Sequence, residues 1–414
     1  MTILHDPAGV DAALDALAED SFAFLERLVA EPSTVGCEAG AQAVVAAELE
    51  RLGFAVEQLA VPEAIGTDVL AGVPQTSYAG RPVIVGTFAG GAGRTLLCNA
   101  HVDVVPADEE ARWSSPPFTP TRRDGWLYGR GAGDMKCGFA MVLLAVGALQ
   151  RAAPSAFGGT LAFVSAIEEE CTGNGTLAAL RAGVVGDAVL LPEPTDLGIL
   201  VGGSGVLWCA FTVTGRAGHA HDAQSGANPI LACLALVDAL RALELELNAA
   251  RGEGEPHCAV NVGTIAGGDW RSSSPTSARM GVRVGFPAHW DVESAQRAVR
   301  TALERATSAP SWPAGATATL GFDGFRAVGY ELGHGDPLVT AVADAHESVH
   351  GDRPQPYRLA STTDARHYRN ELALPALCYG PRVRNIHGVD EAVELASIVA
   401  GARTLTRFIP AFMQ

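Results

Sequence analysis

Apolar residues recur at helical spacing through residues 11–30 (Leu14, Leu17, Phe22, Leu25, Leu28), and Pro32 closes that stretch. A second amphipathic helix is predicted from Glu38 to Leu52, with Gly53 at its C-terminal stop. The period then shortens. Phe54–Leu59, Pro82–Phe88 and Thr95–Ala100 read as strands. An apolar run, Phe139–Leu149, is too short to span a bilayer and predicts a buried helix after Asp134. Strand Thr160–Ala166, helix Thr176–Ala182 and strand Ala188–Leu191 follow. Strands alternating with helices predict an α/β layer structure with a mostly parallel, helix-covered sheet.

The pattern changes near Gly205. It reads strand 206–214, helix 228–248, strand 258–265, strand 277–285, helix 291–308 and strand 316–322. That order, β-α-β-β-α-β, is the ferredoxin-like split unit. Gly324–Pro337 reads as a return linker, followed by helix 337–350, a strand near Ala376–Tyr379 and a last helix over Glu391–Phe408. The expected organisation is therefore 1–205 and 324–414 as one α/β domain, with 206–323 inserted into it.

At 414 residues the chain is too long for one simple core, and 48% hydrophobic with 18% charged residues describes a packed protein rather than a disordered one. The net charge of −17 argues against nucleic acid and anionic membranes as partners. The eight cysteines include no C-x-x-C pair and read as reduced, buried small hydrophobes. The N-terminal stretch has neither a basic region nor an apolar one, so no signal peptide is expected. Together these features predict a cytoplasmic protein.

Chemistry gathers where predicted strands end. Thr95–Ala100 runs into His101 and Asp103, and residues two apart on extended chain share a face, so Asp103 is placed to orient the His101 imidazole. A Gly-rich turn delivers Asp134. Thr160–Ala166 runs into Glu168, Glu169 and Glu170, and Ala188–Leu191 runs into Glu193. Ligand sites in open α/β sheets collect past strand ends. A single histidine is more often a polar surface or satisfied core residue, and a lone Glu run is usually a solvated face. Five candidates in this pattern (His101, Asp134, Glu170, Glu193, His387) point instead to a metal centre. Imidazole and carboxylate without thiolate suit zinc first, with cobalt or manganese as alternatives. A shared carboxylate can hold two such ions roughly 3.5–4 Å apart.

These motifs resemble those of the M20 metallopeptidases and amidohydrolases, a family that includes acetylornithine deacetylase, succinyl-diaminopimelate desuccinylase, aminoacylase-1 and the glutamate carboxypeptidase type. The resemblance spans nearly the whole chain: NAHVDVVP, GRGAGDMKCG, SAIEEECTGNGT, LLPEPTDL, GRAGHAHDAQSGANPI and GPRVRNIHGVDE. It implies that His101, Asp134 and Glu193 hold one metal, that Asp134, Glu170 and His387 hold the other, and that Glu169 is the general base. It implies that the inserted unit is a lid and dimerisation domain. His219 would come from that lid, often the partner subunit's, to stabilise the oxyanion, with His221 on the same loop competing for the role. Arg366 and Arg283 stand where family members bind a substrate carboxylate, and Asn228 lies in the lid motif, where it can equally cap a helix. The implied activity is metal-dependent hydrolysis of a C–N amide bond in a small N-acyl amino acid or similar metabolite. Dipeptidase or carboxypeptidase action, or deformylation or deamination of a small heterocyclic amide, are the alternatives.

The chain departs from the family pattern at Cys137 after D-M-K, Arg382 in the G-P-G turn, Ser272 in place of Asn, and Gly281-Val282-Arg283 in place of D-x-R. These changes bear on the substrate pockets rather than the metals. A non-catalytic scaffold would be signalled by a missing ligand or base, and none is missing. Nucleotide binding is set aside because neither GGAGR nor GRGAG has the G-x-G-x-x-G spacing.

Overall fold

The computed structural model describes residues 6–107, 109–221 and 227–414. A nine-stranded sheet forms the larger body. Its path runs Ala55–Leu59, Val83–Ala89, Thr160–Ala166, Thr95–His101, Ala188–Leu191, Ala376–Cys378, Ile199–Gly203 and Tyr330–Glu331, with Pro356–Leu359 also on Ile199–Gly203. The four central strands from Thr160–Ala166 to Ala376–Cys378 pair in parallel. Both flanks carry antiparallel pairs, so the sheet is mixed rather than mostly parallel. The reason is connection length. A parallel return needs a crossover of a dozen residues or more, and the link Pro192–Gly198 is too short, so Ile199–Gly203 runs back the other way.

The parallel strands are buried from end to end, as continuous Val, Leu, Ala and Phe runs demand. The helix Cys137–Ala152 is buried along nearly its whole length and packs against helices Pro7–Val29 and Leu395–Phe412. By length and composition Ala132–Ala152 could cross a membrane, but 89% of its apolar window is inside the protein, which makes it a core helix. Asp6 starts the first helix by accepting from Gly9 N at 2.8 Å, with Pro7 at the first helical position.

Residues 205–327 build a separate four-stranded antiparallel sheet in the order Val260–Gly267, Ser277–Phe286, Gly205–Thr214, Thr317–Ala327. Helices Pro229–Ala249 and Val292–Ser308 cover it, giving the expected β-α-β-β-α-β order. This unit has its own core, with Leu207, Phe211, Leu240, Val282, Phe286 and Val299 buried together.

Three features were not visible in the periodicity. The strand predicted to stop at residue 322 continues to Ala327 through a bulge, so Gly324 lies inside the strand and not in a linker. Its φ of +75° and its contact with the Trp208 ring leave no room for a side chain. The last helix starts at Leu395 rather than Glu391, because Ala392–Glu394 is a strand paired with Trp126–Tyr128. Ala365–Leu372 is a helix within the segment 361–370 and just beyond. Seven of the eight cysteines are buried, Cys37 is exposed, and all are free.

A polar knot closes the core between helices Pro337–His350 and Leu395–Phe412. His346 Nδ1 lies 2.8 Å from the Tyr379 hydroxyl, which donates to Thr404 at 3.0 Å, and His350 Nε2 lies 3.0 Å from the same Thr404 oxygen. Burial holds both imidazoles below their usual range, and the His350 ring adds to the effect on His346. An unfolded chain protonates its histidines near pH 6.5, whereas these two resist protonation while folded. Their contribution is therefore full above about pH 6.5 and is lost as pH falls through the unfolded value. Melting temperature followed from pH 7.5 to 5.5 should fall less steeply in His346→Asn than in wild type; parallel curves would contradict the assignment.

Candidate active site at the strand ends

His101 is the last residue of its strand and is buried. Its Nδ1 lies 3.0 Å from the backbone oxygen of Asp103 and 3.6 Å from the Asp103 carboxylate. The carbonyl, not the carboxylate, is thus the nearer partner. An Nδ1–H donated to it leaves Nε2 with a free lone pair facing the cleft. The Asp103 carboxylate has a different task, accepting from the backbone N–H of Glu169 at 3.1 Å and of Glu170 at 3.0 Å. It fixes the turn that carries both glutamates.

The three successive glutamates divide by environment. Glu168, at φ +60°, turns into the protein and accepts from Tyr78 and Thr172 at 2.9 Å, with Arg81 also at 2.9 Å. It is a structural residue. Glu169 and Glu170 face the cleft. This agrees with the sequence register, in which Glu168 is neither base nor ligand.

Asp134 sits in non-helical backbone at the mouth of the core helix, followed by a cis peptide bond to Met135. Its Oδ1 lies 3.4 Å from His101 Nε2 and its Oδ2 lies 3.4 Å from His387 Nε2. Each oxygen of one carboxylate therefore meets a different imidazole. His387 Nε2 lies 3.1 Å from Glu170, and His101 Nε2 lies 3.9 Å from both Glu169 and Glu193. His101, Asp134 and Glu170 can each offer one ligand atom with all three within 4.8 Å of one another. The five ligand candidates and Glu169 thus meet in one place.

Their donor chemistry fits a divalent cation. Four carboxylates converge, and among the described residues lining the cleft the only Arg or Lys is Arg283, which hydrogen-bonds Ala360 and Ser361 instead. Burial and the neighbouring carboxylates push Glu193 up to about 8, and burial first raises Glu169 well above the usual carboxylate range. Burial opposes charge on His387, yet hydrogen bonds to Asp134 and Glu170 raise it to about 11. Four carboxylates against two imidazoles call for more positive charge than these side chains supply.

Glu391 is the residue that periodicity misplaced. It is buried, pairs with Arg130 at 2.5 Å, and accepts the backbone N–H of Gly133 and Asp134 at 2.9 Å each. It therefore holds the chain from which Asp134 projects. Its signal in the sequence was a charge closing an otherwise apolar-bounded loop, with Arg130 its only complement in GRGAGD.

The remaining candidates are placed as follows. The Arg366 guanidinium is buried and donates to the backbone oxygens of Thr363 and Thr172 at 3.1 and 3.0 Å, away from the cleft lining. Asn228 accepts from Ile230 N at 3.0 Å and caps helix Pro229–Ala249. His219 is exposed, on a two-residue strand paired with Ser273–Ser274, outside the cleft lining of this chain. His221 Nδ1 lies 2.6 Å from His219 Nδ1. Of the departures, Cys137 donates to Gly133 O at 3.0 Å and Arg382 pairs with Glu394 at 2.6 Å, so both are structural.

Residues 97–411 match the family described as Peptidase family M20/M25/M40. A succinyl-diaminopimelate desuccinylase of Methylorubrum extorquens is 34% identical over 397 residues, 91% of this chain and 94% of that protein. The solved di-peptidase Dug1p of Saccharomyces cerevisiae superposes with a TM-score of 0.80 at 17% identity, covering 99% of each chain. A dinuclear metal-binding peptidase of the M20 family from Bacillus subtilis superposes at 0.61 with 16% identity, covering 96% of this chain and 99% of its own. With the family model matching residues 97–411 and a relative 34% identical over 91% of the chain, the chain belongs to the M20 peptidase family of metal-dependent hydrolases that cleave amide C–N bonds.

Proposed function

We propose that this chain is a deacylase that hydrolyses the amide of a small N-acyl amino acid or closely related metabolite. The supporting observation is the facing of Asp134 Oδ1 and Oδ2 toward His101 and His387, with Glu169 3.9 Å from His101 Nε2. His101, Asp134 and Glu193 are assigned to one cation and Asp134, Glu170 and His387 to a second, zinc being the first choice. Bound cations would polarise the scissile carbonyl and make a water acidic near neutral pH. Glu169, buried and 3.9 Å from His101 Nε2, would be the group that accepts a proton from the attacking water and returns it to the leaving amine. Asp103 holds the Glu169 backbone in place, and Arg283 receives a substrate carboxylate. The deacylase reading is preferred over the dipeptidase one because the desuccinylase relative is the closer in sequence, while likeness to the dipeptidase is a likeness of fold.

Residues 206–323 act as the lid in this reading, and two lids join to make a homodimer. Ile230, Leu231 and Leu234 are exposed along one helix, next to the exposed edge strand Val260–Gly267 with Ile265. Unpaired edges and apolar patches of this kind are normally covered. His219, outside the cleft of its own chain, would serve the partner's.

Three measurements test these assignments. Glu169→Gln should lower kcat by about 10²–10⁴ with metal content and melting temperature retained; activity equal to wild type would remove Glu169 as base. Glu391→Gln should weaken metal affinity by about 10–100-fold in chelator competition, since Asp134 loses its anchor. It should also lower the melting temperature by leaving Arg130 buried without its anion. Light scattering at micromolar concentration should give twice the chain mass, and a monomer would refute the lid pairing.

A further inference from the structure

The cleft beside the metal ligands has a volume of about 430 Å³, within the range of small-molecule sites. Its far walls are apolar and come from both bodies of the protein. On the smaller sheet Trp208 lies directly opposite Arg283 in the antiparallel register, so both project from one face. Phe325 on the next strand meets the Trp208 ring edge-on, with centroids 5.5 Å apart at 84°. Gly324 sets that geometry, because any side chain there would strike the Trp208 ring. On the larger sheet Tyr357 and Leu359, two apart on one strand and so on one face, each remain 37% exposed at the cleft. Apolar surface left open beside polar catalytic groups marks a ligand contact.

The polar side of the pocket is narrow. Burial lowers the proton affinity of Arg283. Only its Nη2 is hydrogen-bonded, to Ala360 and Ser361, and among the described residues no carboxylate pairs with it. Thr362, in the same wall, is buried, and its Oγ1 has no hydrogen-bond partner among the described residues. Arg283 is only half-buried, and a guanidinium enclosed this far without a carboxylate partner has room for one. Here the geometry leaves that place to a ligand, and it offers one such place.

We propose that this cleft selects amides with one carboxylate and one ring-sized apolar group, the carboxylate on Arg283 and the apolar group between Trp208 and Tyr357. This rests on the deacylase reading and narrows it. N-succinyl-diaminopimelate carries three carboxylates and an ammonium, and one guanidinium with aromatic walls does not match it. Burying a ring against such walls removes about 150–250 Å² of surface from water, ample for a tenfold preference.

Binding and turnover are to be measured separately. Zinc-loaded Glu169→Gln protein is titrated calorimetrically with N-acetyl-L-phenylalanine, N-benzoylglycine, N-acetylglycine and N-succinyl-diaminopimelate. At least one ring-bearing ligand should bind about tenfold more tightly than both of the others. Trp208→Ala, and independently Tyr357→Ala, should cut the ring's advantage over N-acetylglycine to below about threefold; the second variant lies on the other body and stands if the first fails to fold. N-succinyl-diaminopimelate binding as tightly as the ring-bearing ligands, or a ring advantage untouched by Tyr357→Ala, would overturn the proposal. Wild-type enzyme that keeps the binding preference but hydrolyses none of the four amides would overturn the deacylase reading and leave the pocket assignment standing.

Discussion

Four carboxylates and two imidazoles share one small volume at the ends of parallel strands, and every nearby arrangement answers to that crowding. Removing an ionised carboxylate from water costs several kcal/mol unless it is compensated. Here the one Arg or Lys among the described residues lining the cleft, Arg283, pairs with none of Asp134, Glu169, Glu170 or Glu193, which leaves two imidazoles to face four carboxylates. The protein instead compensates one layer further out. Asp103 takes two backbone N–H groups of the glutamate turn, Glu391 takes two of the Asp134 turn, and each of the buried Arg130 and Arg81 pairs with a glutamate behind the site. The inner ring is thereby held in position while its charge is only partly answered by His101 and His387, which is the condition a divalent cation satisfies.

The same economy explains why adjacent residues of one sequence run have unlike fates. Glu168 and Glu169 are chemically identical and neighbouring, yet the positive φ at Glu168 turns its carboxylate back toward Tyr78, Thr172 and Arg81. Glu169 is left without such partners and faces the cleft, where burial raises its proton affinity. Environment, not residue type, separates the anchor from the residue that faces the cleft.

The cleft is a joint product of two cores. The candidate ligands all belong to the larger body, His101, Glu170 and Glu193 past strands of its main sheet and Asp134 and His387 in loops beside Trp126–Tyr128 and Ala392–Glu394, whereas Trp208, Arg283 and Phe325 come from the smaller body. Gly324 touches both: its oxygen accepts from Val73 N at 2.8 Å, and its bare α-carbon admits the Trp208 ring. The cleft therefore depends on how the two bodies meet, since Tyr357 and Leu359 of the larger sheet face it as well.

The alternation of buried strands and amphipathic helices was legible in the chain because period 2 and period 3.6 patterns are local, and the inserted β-α-β-β-α-β unit followed from the same signal. The ligand residues were legible because His101, Glu170 and Glu193 follow apolar strands and all five stand in motifs that resemble those of a family. The mixed direction of the sheet was not, since it depends on how far a short link such as Pro192–Gly198 can carry the chain. Nor was the role of Glu391, whose partners Arg130 and Gly133 lie more than two hundred residues away. The positions of Arg366 and Asn228 were equally hidden: a guanidinium or an amide can serve a ligand or the backbone, and only packing decided that the first donates to Thr363 and Thr172 and the second caps a helix. The sequence by itself settled which side chains could do the chemistry, because donor type is intrinsic to a residue. Only tertiary structure decided which of them meet, because convergence from distant strand ends is a property of the folded sheet.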